Sequence, residues 1–421
     1  MAENQNQPGK YDAVLGGESP PPVTGVVLGG IEGVKRRLSN PVVEVKVAAL
    51  SDALKYGDGG LELVIQALQQ EKKIVQHSAY KLLRKREEAR VKQALEEYQP
   101  WYLFERCQRN YSYQGLHLGK FANRQIVEFD LQVGITEPKD IAYKLLSSYR
   151  SDRPPITEQL TSLLQDSQAD KLEALVIGNW GEASADDSSE IVNALANAKD
   201  KLTNLKAIFI GDMHMEESEI SWIMQSDISP ILRAYPQLEI LQIRGGDGLQ
   251  FNAPVRHNKL QALVIETGGL GRDTVAQICN MNLPGLQHLE LLFGSDSYGG
   301  NCAVENIKPI VDDLIFPNLN YLGLCNSEFS DDIAEAVVKS PLIETISVLD
   351  LSLGTLSDKG GEFLLNCAAV NELDIVNLSD NYLSEEMVDK LSALDCQLLG
   401  NHQEEIEYED DEEYRYCSVS E

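Results

Sequence analysis

The sequence predicts an α/β repeat solenoid, parallel strands inside and helices outside, preceded by a small all-α helical module. Two observations carry that expectation. A six-residue pattern, leucine-x-x-leucine-x-leucine, recurs about eight times from Leu172 onward, with helical spacing between the copies. Ahead of it, between residues 26 and 98, the apolar spacing is helical throughout, and one helix pattern returns after 30 residues.

Composition sets the outer limits. A chain of 421 residues, 43% of them hydrophobic, has material for two or three cores of about 100–200 residues each. Its apolar runs fall far short of the ~20 residues a membrane span needs. The opening MAENQNQPGKYDAVLGGESPPP lacks the charged-then-apolar order of a secretion signal. A soluble, cytoplasmic protein is expected. The 7 cysteines are scattered and never spaced C-x-x-C, which favours free thiols over disulfides or a zinc site. A formal net charge of −30 repels phosphate backbones, which excludes nucleic acid as the main ligand. Between Ile31 and Pro100, however, bases, among them Lys35, Arg36, Arg37, Arg84 and Arg86, slightly outnumber acids, so the deficit lies downstream. Two modules of different charge follow.

Residues 1–25, rich in Gly, Pro, Asn and Gln, read as a disordered tail. In residues 26–98, Val45, Ala49 and Ala53 share one helix face. Leu61, Val64, Ile65 and Leu68 mark a second helix, and Gly57, Gly59 and Gly60 punctuate the turn between them. IVQHSAYKLLRKR then repeats the first helix, with Val75, Ala79 and Leu83 in the matching places. Small residues at matched positions let neighbouring helices approach, and paired helices recurring at about 30 residues stack into a helical solenoid. The string resembles a HEAT repeat, opening on an Asn40-Pro41 turn. Residues 99–125, with Trp101, Tyr102, Phe104, Tyr111 and Tyr113, read as an ordered aromatic linker.

Residues 126–400 carry the hexads. LEALVI begins at Leu172, LKAIFI at Leu205, LEILQI at Leu238 and LQALVI at Leu260. LQHLEL begins at Leu286, LNYLGL at Leu319, ISVLDL at Ile346 and LDIVNL at Leu373, successive starts lying 22 to 33 residues apart. IVEFDL at Ile126 reads as a degenerate opening strand. Side chains alternate along a strand, so the second and third apolar positions of each hexad point to one side, and the first anchors the turn into it. This is the grammar of a leucine-rich-repeat horseshoe. One unit cannot bury its leucines alone, and stacking neighbours buries about three aliphatics per unit at roughly 1.5–3 kcal/mol each. The asparagine that usually closes the pattern is mostly missing, with Asn326 and Asn381 as candidates. Strings such as SEISWIMQSDISPILRAYPQLEILQIRGGDGL and VLDLSLGTLSD resemble a family of bacterial leucine-rich-repeat proteins of unassigned function, over about Leu172 to Leu391. That resemblance implies the fold and brings no reaction. Residues 401–421, nine acids against one arginine, read as a disordered acidic tail, free to dock on a basic partner or on the N-terminal basic helices.

The function expected is a non-enzymatic protein–protein interaction scaffold. No G-x-x-x-x-G-K-[ST], H-E-x-x-H or G-x-S-x-G occurs, and neither a cofactor nor a metal is expected. His214, beside Asp212, Glu216, Glu217 and Glu219, offers an alternative as a metal-dependent enzyme. A second alternative is an adaptor that brings a substrate to a modifying enzyme. The alternation places Val176, Phe209, Gln242, Val264, Glu290, Gly323, Asp350 and Asn377 in one outward column, and Arg244 and Glu266 in the next. Phe209, Gln242, Arg244, Glu266, Glu290 and Asp350 are therefore the expected partner-binding residues, for a protein with a basic patch. The loops RGGDGLQF, ETGGLGRD and GSDSYGGN, rich in Gly, Asp and Ser, are expected to form a recognition rim beside them.

Overall fold

The hexads become strands, and their leucines become one core. The computed structural model describes residues 30–70, 74–84, 86–98, 119–147, 153–181, 185–252, 254–409 and 412–420. The expected N-terminal tail and residues 99–118 of the expected linker lie outside them. The chain divides into two units, Met1–Pro100 and Trp101–Glu421.

In the first unit the described residues form helices α1 (Gly30–Leu38), α2 (Val43–Ala53), α3 (Gly57–Gln70), α4 (Ile74–Leu83) and α5 (Ala89–Glu97). The matched alanines do what their size predicts. Ala49 and Ala53 on α2 and Ala79 on α4 are fully buried, and α2 packs against α4. Leu61, Val64, Ile65 and Leu68 form the buried face of α3. The expected turn is shorter than Gly57–Gly60, because α3 already begins at Gly57, where φ is +60°. Gly60 is helical, and a Cβ there would strike the Ala53 carbonyl, so glycine serves close packing at this point rather than a turn.

The second unit is built on a 12-stranded sheet. Its strands are β1 (Lys120–Phe121), β2 (Arg124–Glu128), β3 (Ile141–Leu145), β4 (Ala174–Ile177), β5 (Ala207–Ile210) and β6 (Ile240–Arg244). They continue with β7 (Ala262–Glu266), β8 (His288–Gly294), β9 (Tyr321–Ser327), β10 (Val348–Asp350), β11 (Ile375–Asn377) and β12 (Gln397–Leu399). Each strand neighbours the next in sequence. β1 runs antiparallel to β2, and every later pair is parallel. The register is residue for residue, so Leu175, Ile208, Leu241, Leu263, Leu289, Leu322, Leu349 and Val376 stand abreast. Every apolar position of the eight hexads lies in one hydrophobic core.

Helices cover that side of the sheet: α6 (Ile156–Gln165), α7 (Ser189–Asn197), α8 (Ser229–Ala234), α9 (Arg272–Cys279), α10 (Val304–Val311), α11 (Ser330–Lys339), α12 (Asp358–Leu365) and α13 (Glu385–Ser392). Leu163, Leu195, Leu232, Ile278, Ile310, Val337, Leu364 and Leu391 carry their inner faces into the shared core. Two connections between parallel strands form no helix among their described residues, the one between β2 and β3 and the repeat between β6 and β7. Polar groups tie neighbouring repeats together. The Tyr235 hydroxyl donates to the Leu195 carbonyl at 2.6 Å, and His257 Nε2 meets the Tyr235 carbonyl at 2.9 Å. His257 Nδ1 accepts from the Leu260 amide, which fixes a neutral tautomer, and burial lowers its pKa accordingly. Asn381 serves three carbonyls, those of Leu351, Leu378 and Ser379, and accepts from the Leu356 amide. It closes its repeat as the sequence pattern anticipates.

Three expectations need correction. β3 and β12 extend the repeat at both ends, although neither has a leucine in the first hexad place. Ile126 does not open a hexad: Val127 pairs with Tyr143, so Ile126 faces the opposite side of the sheet and Phe129 enters the core. The tail is ordered where it is described. Residues Glu407–Glu409 and Glu412–Tyr414 pair antiparallel, and Arg415–Val419 hydrogen-bond to the loops of the repeats. The described cysteines are free thiols, as expected, and burial raises Cys279 to about 11 and Cys302 to about 12.

Asp380 supplies a pH test. Burial raises its carboxyl from an ordinary 3.8 to about 6, helped by Glu404 and Asp350 and opposed by His402. A raised acid favours the folded state in its protonated form, so that contribution is complete below about pH 4 and is lost as pH rises through about 6. At φ +55° the position tolerates asparagine. Asp380→Asn is expected to raise stability by ~1–2 kcal/mol at pH 7.5, discounted for partial exposure, and by little at pH 4. Urea unfolding at the two pH values checks this.

Candidate functional site

The face of the sheet opposite the helices is where the outward columns of the sequence converge. Parallel pairing aligns Val176, Phe209, Gln242, Val264, Glu290, Gly323, Asp350 and Asn377 in a single row, as the alternation predicts. Arg244 pairs beside Glu266 in the next. This face is nevertheless buried. Phe209, Gln242, Arg244 and Glu266 are 4%, 4%, 3% and 1% exposed, and Glu290 and Asp350 are 0% exposed. Its first half is apolar, with Phe121, Ala174, Val176, Ala207, Phe209, Ile240 and Ala262 in one cluster. Tyr321, Val348 and Ile375 form another toward the end.

The polar members satisfy one another. Lys144 Nζ lies 2.9 Å from Asp212 Oδ2, and Arg244 Nη1 lies 3.7 Å from Asp212 Oδ1. Arg244 Nε donates to Glu266 Oε2 at 2.9 Å, its Nη1 donates to the Met213 carbonyl, and the guanidinium sits 5.3 Å above the Phe209 ring. Gln242 completes the set on Glu266 Oε1. Farther along, the His288 ring stacks on Tyr321 at 3.8 Å, and His288 Nε2 is 3.2 Å from Glu290. The Tyr321 hydroxyl and Ser352 Oγ both donate to Asp350, each at 2.6 Å. Phe209, Gln242, Arg244 and Glu266 thus form one group, and Glu290 and Asp350 belong to a second. Charges held this way cost more to break than to keep, because removing one partner strands the other in a low-dielectric interior.

Exposed chemistry lies at the loop rim. RGGDGLQF, ETGGLGRD and GSDSYGGN come together there, close enough that a Cβ on Gly269 would strike the Tyr298 carbonyl, and one on Gly294 (φ +68°) the Gly268 carbonyl. With Ser221–Trp222 they line a cleft of about 700 Å³. Asp247 and Asp273 are exposed in its wall, Tyr298 is half-buried, and Trp222 leaves 56% of its surface in solvent. The three loops were legible as a rim from their Gly/Asp/Ser content. Trp222 was not, and its only signal was an isolated tryptophan in the polar stretch GDMHMEESEISW. The His214 loop is held locally: its amide donates to Glu217, and its Nδ1 accepts from the Glu216 amide. Among the described residues no group of three or more His, Cys, Asp or Glu could hold a metal ion. Also among them, no helix is long and apolar enough to cross a membrane.

Among solved structures, the chain is similar to a Bacteroides fragilis protein from a structural-genomics programme. The identity is 30%, over 66% of this chain and 77% of that one, with a TM-score of 0.58. It also matches an internalin from Listeria monocytogenes at 15% identity and a TM-score of 0.32, over 57% of this chain and 56% of that one. No protein-family model matches, and no curated protein does.

The buried network yields a clear expectation. Arg244→Glu places an acid among Asp212 and Glu266 and should lower unfolding free energy by ~3–5 kcal/mol. The exposed Lys259→Glu, outside any such network, should change it by less than about 0.5 kcal/mol. Denaturant melts of the two variants distinguish structural from surface charge.

Proposed function

The chain belongs to the same family as the Bacteroides fragilis protein, and we propose that it is a non-enzymatic protein-interaction scaffold that presents its loop rim to a protein partner. One observation carries this reading: a cleft between repeats combines an exposed tryptophan with two exposed carboxylates. Aromatic anchors dominate the energy of protein interfaces. A ring beside carboxylates suits lysine or arginine, through cation–π attraction and ion pairing. A partner with a basic patch fits both that chemistry and the net charge of −30. The buried row with Glu290 and Asp350 then acts as the rigid floor under the rim rather than as the contact itself.

A second reading, an adaptor, is favoured by the division of the chain into two units. In it, the α2/α3 and α4/α5 pairs are HEAT-like repeats, with Ala49 and Ala79 at matched buried positions, and dock a second protein of their own. Cytoplasmic residence belongs to both readings.

Trp222→Ala and the pair Asp247→Lys with Asp273→Lys should each weaken capture of the native partner at least tenfold, about 1.4 kcal/mol, while the melting temperature stays within about 2 °C. Quantitative affinity capture with wild-type and variant baits, paired with thermal melts, measures both. Undiminished capture by the charge-reversed bait refutes the rim reading. Distinct partners for the two units would establish the adaptor.

A further inference from the structure

The described end of the chain is laid along the same rim. The Tyr416 amide donates to the Tyr382 hydroxyl at 2.9 Å, and that hydroxyl reaches back to the Tyr416 carbonyl. Arg415 Nη1 donates to the Thr355 carbonyl at 2.7 Å and lies 3.7 Å from Asp331. The Ser418 amide donates to the Leu353 carbonyl at 3.0 Å. Cys417, 7% exposed, directs its thiol at the Gly294 carbonyl. Val419 is held through both of its backbone polar groups: its amide donates to Asn326 Oδ1 at 2.9 Å, and its carbonyl accepts from Asn326 Nδ2. Its side chain packs on Leu292, Cys325 and Leu353. The Ser420 carbonyl then lies against Gly268, where an added Cβ would meet both it and Ser221, a residue lining the Trp222 cleft.

Asn326 decides what this means. It is one of two asparagines placed near the end of a hexad, and its fellow, Asn381, is occupied with the carbonyls of its own repeat. Asn326, fully buried in the left-handed region at φ +53°, instead turns its amide to the passing chain. A carboxamide facing a peptide unit reproduces the paired donor and acceptor of a neighbouring strand. It therefore recognises extended backbone of any sequence, while the Leu292–Cys325–Leu353 pocket selects an aliphatic side chain.

We propose that this track is a receptor for an extended peptide, that Arg415–Ser420 is its built-in ligand, and that a partner's extended segment with an aliphatic residue at the Val419 place displaces it. The proposal rests on the scaffold reading only in taking the ligand to be protein. In place, the segment competes at an effective concentration of the order of millimolar, so the partner binds a fraction of molecules set by how often the segment leaves.

The test uses the full chain and a fluorescein-labelled peptide of residues 412–421, with binding read by fluorescence anisotropy. Full-length Val419→Asp, which cannot fill its own pocket, should bind the peptide at least tenfold more tightly than wild type. Adding Asn326→Ala should reduce that binding tenfold or more, and a peptide carrying aspartate at the Val419 place should not bind. Amide exchange on unaltered protein guards against misfolding of the variants: Ser418 and Val419 should be protected, and Asn326→Ala should remove that protection while leaving β8 to β10 unchanged. Equal peptide binding by wild type and Val419→Asp, or unprotected amides at residues 418 and 419 in wild type, overturns the proposal. Neither result touches capture of a partner through the Trp222 cleft.

Discussion

The residue-for-residue register of the parallel strands is the constraint on which the rest depends. Once Leu175 is abreast of Ile208, and Leu263 of Leu289, alternation leaves no freedom: one set of side chains enters the helix-covered core and the other forms the opposite face. A one-residue slip at β8 would drive Glu290 among leucines, and one at β10 would do the same to Asp350. The helices follow from the same rule, since each must place one apolar stripe over the leucine row beneath it. Loops that leave successive strands at the same level stack into a rim, and that stacking assembles the cleft.

Much of this was legible because both periods are strict. Two apolar residues two apart, repeated at a steady spacing, identify strand and core side without any contact information, and the predicted outward row is the row that pairs. β3 and β12 escaped because Asp140 and Asp395 stand where the first leucine belongs, so the anchor of the pattern is gone although Tyr143 and Leu398 keep its centre. The state of the opposite face could not be read from one dimension. Gln242, Glu266 and Glu290 look like solvent-facing polar residues in the sequence. Only pairing across repeats, Arg244 reaching Asp212 from 32 positions away in the chain, shows that their polarity is satisfied internally. The tail shows the same limit. Its composition is that of a solvated acidic run, yet a few backbone bonds to Asn326, Leu353 and Tyr382 determine its path.

On the proposed scaffold reading, function is divided between two kinds of surface. The buried polar face supplies rigidity, since each of its charges is fixed by a neighbour that cannot move without stranding another. The rim supplies exposed groups with room around them. Recognition residues held on a stiff scaffold lose little conformational entropy when a partner arrives, which favours affinity from a small contact.

The helix-free repeat between β6 and β7 has a mechanical consequence. From β3 to β6, and again from β7 to β12, an outer helix accompanies each step between strands, so a load along that part of the array is shared by two layers. Between α8 and α9 it passes through the sheet and the glycine-rich turns alone. Pulled from its ends, the array from β3 to β12 would yield at that seam, separating into an early block through β6 and a late block from β7, with the Trp222 cleft on the line of fracture.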